Sequence, residues 1–134
     1  MIFEVFRLNG RLLVAADDLV SGLGLSSARW QVLWAIDIAG IPQPVAHLAR
    51  SMGLNRQGVQ RIVNELASEG LIAFSENPNH LRAKLVTMTE QGRKAYAAAD
   101  RLRRPWLAAL AEGLSGPDLD AALRVMAMLR QRLE

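Results

Sequence analysis

Hydrophobic positions recur with helical rather than strand spacing over most of the chain. Ile2, Val5, Phe6, Leu12, Leu13, Ala16, Leu19, Val20 and Leu23 step by threes and fours, which predicts an amphipathic helix over residues 2–23, weakened at Gly10. Ser26 is placed to cap a second helix through Trp30, Leu33 and Ile36 to Gly40. Pro44 suits the first turn of a short third helix ending at Gly53, and Asn55 caps a fourth that stops at Gly70. The pattern then changes. LIAFSE and RAKLVTM, rich in branched residues, flank NPNHL and predict a β-hairpin. Thr89 caps a long helix beginning TEQGRKAYAAADRL, which Pro105 should kink or interrupt. After GLSGPD, a last helix carries Leu119, Ala122, Met126, Leu129 and Leu133 along one stripe.

The stretch LARSMGLNRQGVQRIVNEL, residues 48–66, joins two of these helices by a tight turn. Two helices cross closely only where the contact residue is small, which Ala49 supplies, and the turn needs a residue comfortable at positive φ, which Gly53 supplies. Val59, Ile62, Val63 and Leu66 then lay an apolar stripe on the first helix, with Leu48, Met52 and Leu54 expected to complete the small core. This is helix-turn-helix spacing, and a β-hairpin directly after it makes the unit a winged helix-turn-helix. The predicted fold is therefore mainly α, with residues 25–88 as the winged unit between helical regions at 1–24 and 89–134.

The residues left outside the stripe are Arg56, Gln57, Gln60, Arg61 and Asn64. Arg pairs bidentately with guanine, and Gln or Asn with adenine, so this set is suited to reading base edges. Glu65 and Glu69 are expected to lie toward the helix end, away from the part that enters a groove. His47 and Arg50, on the outward side of the third helix, are candidates for phosphate contacts.

Charge supports the same segment. Between Pro44 and Lys94 seven basic residues (Arg50, Arg56, Arg61, Arg82, Lys84, Arg93, Lys94) face four acidic ones (Glu65, Glu69, Glu76, Glu90). That excess equals the net charge of the whole chain, +3, and points to a polyanionic partner. Half the residues are hydrophobic, yet the longest apolar run, WLAALA, is far below the roughly 18 residues needed to span a bilayer. The opening MIFEVFRLNG has an acid where an export signal needs positive charge. The absence of cysteine excludes thiolate chemistry and fits a cytoplasmic location. His47 and His80 are the only histidines, so no metal or other cofactor is expected. There is no Gly-rich phosphate loop and no GxSxG, and Asp17-Asp18 and Asp118/Asp120 are expected on solvated helix faces, the latter pair also favouring a helix N-terminus. Nothing predicts an enzyme.

The stretches LSSARWQVLWAI, VAHLARSMGLNRQGVQRIVNELASEGLI and NPNHLRAKLVTMTEQG, together spanning residues 25–92, resemble the MarR family of transcriptional regulators. The resemblance implies a cytoplasmic homodimer held by its terminal helices, residues 1–24 and 89–134. It implies a winged domain from each subunit on successive half-sites of pseudo-palindromic double-stranded DNA. It implies repression, with release by a small aromatic effector bound between the two regions. Carried onto this chain, the major-groove helix falls on Asn55 to Leu66 and the wing arginine on Arg82. The family's wing typically reads Asp-Arg-Arg-Ala, where this chain has His80-Leu81-Arg82-Ala83. Trp30, Trp34 and Arg11 are the candidate lining of an effector pocket, with packing the competing expectation for both tryptophans. Arg101, Arg103 and Arg104 are expected to solvate the dimer region. The alternative is a winged-helix protein-interaction module without specific DNA contact, whose support is the altered wing.

Overall fold

The computed structural model describes residues 1–134, in two compact units, residues 1–103 and residues 104–134. Six α-helices and a small sheet make up the chain: α1 Ile2–Val20, α2 Ser27–Ala39, β1 Gln43–Pro44, α3 Val45–Met52, α4 Arg56–Ser68, β2 Ile72–Ser75, β3 Leu85–Met88, α5 Glu90–Leu110 and α6 Gly116–Leu133. This is the expected mainly α, winged architecture.

In the first unit, the core is built where the apolar periodicity of α1–α4 converges. Ala16 and Val20 of α1, Trp30, Val32, Leu33 and Ile36 of α2, and Leu48 and Ala49 of α3 are buried together with Val59, Ile62, Val63 and Leu66 of α4. Each fully buried Leu or Val contributes about 1.5–3 kcal/mol relative to exposure. Leu54, expected in this core, is instead 49% exposed. It lies in the turn after Gly53, where its backbone N–H bonds the Ala49 carbonyl and fixes the turn without burying the side chain.

Caps define the helix ends. Ser26 accepts from the Arg29 N–H, and Asp17 Oδ1 accepts from the Ser27 N–H at 2.6 Å. Asp17 is therefore not simply solvated: its carboxylate anchors α1 to the N-terminus of α2, where the helix dipole favours negative charge. Thr89 Oγ1 accepts from Gly92 N–H and donates to the Gly70 carbonyl, tying the start of α5 to the end of α4. Gly92 is required there, because a Cβ would collide with the carbonyl of Leu71.

The sheet has the order β1-β3-β2, all antiparallel, with Ile72 opposite Met88 and Phe74 opposite Val86. The predicted hairpin is β2–β3. Strand β1 adds an edge through Gln43 opposite Val86 and Pro44 opposite Leu85, and an edge is where a strand tolerates proline.

Helix α5 runs without interruption through Pro105. The proline forfeits one N–H bond to the Arg101 carbonyl, but both residues are exposed, so water can satisfy the freed carbonyl. In the second unit, Ser115 caps α6 by accepting from the Asp118 N–H, and Asp118 sits in the first turn as expected. The expected stripe Leu119, Ala122, Met126, Leu129 and Leu133 leaves large side chains exposed, Met126 and Leu133 among them.

Candidate nucleic-acid interface

Helix α4 presents two faces because four buried residues, Val59, Ile62, Val63 and Leu66, occupy one side of a 3.6-residue period. The opposite side holds Arg56, Gln57, Arg61 and Asn64, all exposed, and Gln60, partly exposed. These five side chains converge on one shallow concavity with Glu65 and Ser68. Two pairs run along it: Gln60 Nε2 donates to Asn64 Oδ1 at 3.0 Å, and Arg61 Nη1 donates to Glu65 Oε1 at 3.0 Å. Glu65 lies toward the C-terminal end of the helix, as expected, and its side chain shares this concavity. Asn55 is exposed just ahead of the helix, and its Oδ1 caps it, accepting the Gly58 N–H at 2.7 Å.

The other edge of α4 faces the wing. Arg56 and Gln60 line a second, larger concavity of about 930 Å³ whose far wall is the hairpin, including Asn79, His80, Arg82 and Lys84. Gln43 and His47 close it from β1 and α3, joined by a 3.0 Å contact between His47 Nδ1 and Gln43 Oε1. No carboxylate lines this cleft. With the N-terminus of α4 at its rim, its field is positive. Arg82, the sequence-predicted wing arginine, thus shares a cleft with the helix, together with Lys84 and Gln43, which sequence reasoning did not single out. Arg50 is exposed in the last turn of α3 and does not line the cleft.

The wing tip is shaped by successive turns. Asn77, buried, accepts the Asn79 N–H on its Oδ1 and the His80 N–H on its carbonyl, and Ala83 N–H then bonds the His80 carbonyl. Leu81 stands at the apex, 88% exposed, outside the cleft.

Behind α4, Arg29 of α2 pairs with Glu69 at the helix C-cap and donates to the Gly24 carbonyl. The Arg29 side chain is mostly shielded, so this contact bolts the far end of α4 to α2. Its forty-residue separation left no local signal in the sequence.

Of the predicted effector residues, Trp30 and Trp34 are brought together and Arg11 is not. Trp30 is 2% exposed and stacks on Trp34 with ring centroids 5.8 Å apart. Trp34, partly buried, also has the Arg103 guanidinium 4.5 Å from its ring centroid. Arg103 pairs with Asp100 as well, so it packs rather than simply solvating a surface. Arg11 is exposed on α1, and no hydrogen bond or ring contact joins it to either tryptophan. Near the end of α2, Tyr96 donates to Asp37, and its phenol pKa is pushed up to about 12, first by burial, then by that hydrogen bond and the Asp37 charge, against an opposing effect of Arg103. No group of three or more His, Asp or Glu side chains is arranged to hold a metal ion, and no helix is long and apolar enough to cross a membrane.

Comparison with known proteins bears on this geometry. A family model described as MarR family matches residues 23–83. An uncharacterized protein of Mycobacterium tuberculosis is 36% identical over 98 residues, covering 73% of this chain and 67% of that protein. Among solved structures, the transcriptional repressor CouR bound to a 23-mer DNA duplex superposes with a TM-score of 0.83 at 23% identity, over 97% of this chain and 92% of that one. CouR from Rhodococcus jostii RHA1 bound to p-coumaroyl-CoA superposes at 0.79 with 24% identity, over 98% and 89%.

Proposed function

Because the chain belongs to the MarR family of transcription regulators, we propose that it is a homodimeric, sequence-specific double-stranded DNA-binding repressor that places α4 of each protomer in the major groove. The family and fold are those of transcription regulators rather than enzymes. The observation that carries the reading is the joint geometry of α4 and the wing. One face of the helix offers Arg56, Gln57, Gln60, Arg61 and Asn64 outward, and an acid-free cleft separates that helix from Arg82 and Lys84. A helix in the major groove with a basic cleft beside it is what a duplex requires, since the sugar-phosphate ridge must pass between helix and wing. Arg82 then contacts the phosphates or the adjoining minor groove, and His47 and Arg50 are phosphate contacts on α3.

Dimerisation through residues 1–24 and 89–134 is supported by the apolar side chains left exposed on the terminal helices, Phe3 and Phe6 on α1 and Leu123 and Met126 on α6. Two protomers would meet half-sites about one helical turn apart. Action on DNA would place the protein in the cytoplasm. Release by a small aromatic acid is supported by the Trp34 ring with a guanidinium beside it and by CouR's binding of p-coumaroyl-CoA. A protein-docking module is the less favoured reading, because the α4 face lacks the large apolar or aromatic side chains such a surface favours.

Selection of bound duplexes from a random pool tests the proposal. A recovered palindrome supports it, and binding that is unselective and lost at moderate salt overturns it.

A further inference from the structure

The acid on the reading face has no place in a surface built only to attract a polyanion. Glu65 lies one helical turn from Arg61, about 6 Å along the axis, and accepts one of its guanidinium protons at 3.0 Å while both side chains remain substantially exposed. An exposed pair of this kind stabilises a helix only slightly, and any surface position would serve that purpose. Its location on the α4 face is what gives it consequence.

We infer that Glu65 is a specificity-determining residue: it orients the Arg61 fork toward a guanine, accepts the amino proton of a nearby cytosine, and repels duplexes lacking those bases. The inference rests on the DNA-binding reading above. Arg61 uses one of five donors on Glu65, leaving the rest of its planar fork for guanine O6 and N7. A carboxylate only accepts; of the two amino donors in the major groove, cytosine N4 suits it better than adenine N6, whose neighbouring N7 is itself an acceptor. About 6 Å of separation spans at most two base steps of roughly 3.4 Å, so the two side chains address base pairs within two steps of each other. On a sequence that offers guanine or thymine instead, the carboxylate meets an acceptor oxygen in the negative field of the duplex, which suppresses binding.

Glu65→Gln is isosteric and exposed, so the fold is retained, as circular dichroism will verify. Affinities are measured for the pool-selected duplex and a scrambled duplex of equal length, using wild type, Glu65→Gln, Arg61→Ala and the double variant. The expected result is that Glu65→Gln binds the scrambled duplex several-fold tighter and the selected one no tighter, so that the ratio of affinities falls by about tenfold. In the Arg61→Ala background the same change still lowers the ratio, but by less, because the cytosine contact remains while the oriented fork is gone. An unchanged ratio, with both duplexes gaining equally, overturns the inference while leaving DNA recognition standing. A wild-type protein that does not distinguish the duplexes overturns both.

Discussion

Asn55 closes the N-terminus of the reading helix on Gly58, its Oδ1 taking the Gly58 N–H at 2.7 Å. The residue expected to begin the DNA-reading set therefore has its carbonyl oxygen committed to the backbone. Its position sets where the first turn of α4 begins, and with it the placement of Arg56 and Gln57. Asn55→Ala should lower stability by about 1 kcal/mol in urea unfolding, whereas Asn55→Asp should keep nearly all of it, because aspartate caps equally well.

Arg61 and Arg82 should separate into two kinds of contact. Arg61→Ala should cost about 1–3 kcal/mol on the selected duplex and relax one position of the recovered site. Arg82→Ala should weaken all duplexes similarly and reduce the slope of log affinity against log salt by roughly one unit. Titrations at several salt concentrations distinguish the two patterns.

The crossing of α3 and α4 depends on a small residue at position 49. Ala49 is 2% exposed, with Leu48, Val59 and Val63 buried in the same core. Ala49→Leu should destabilise the protein by about 1–3 kcal/mol through overpacking, and Ala49→Gly should cost about 1 kcal/mol through helix propensity alone. Thermal unfolding measures both.

Tyr96 is the only tyrosine in the chain, so the ultraviolet absorbance of tyrosinate reports it without ambiguity. Its pKa is raised from 10.0 to about 12 in the folded protein. The stabilisation linked to that shift is fully present below pH 10 and is lost as pH rises through about 12. Asp37→Asn should lower the titration midpoint without returning it to 10.0, because burial, the larger cause, remains.

Features encoded by neighbouring residues were legible in the sequence, and those that join distant segments were not. Ser26, Asn55 and Thr89 cap the helices they precede because a capping oxygen acts within three residues. Ala49, Gly53 and the Val59–Leu66 stripe sufficed to predict the helix pair for the same reason. Strand β1 escaped because two residues, one of them proline, display no alternation. The Asp17 bond to Ser27 and the Arg29–Glu69 pair escaped because only the packed fold brings α1 and α4 against α2. Glu65 lies late in the helix as its position indicates, and the four-residue step that sets it beside Arg61 is itself a local signal. Leu54 was assigned to the core by type, while the turn geometry turns it outward.

The most direct test of the account is methylation interference on the pool-selected duplex, since methylation of guanine N7 blocks the major-groove atom that an arginine fork requires. The account predicts two clusters of interfering guanines about one helical turn apart, with at least one guanine in each cluster no longer interfering when the protein carries Arg61→Ala. A duplex bound equally well with its guanines methylated would contradict it.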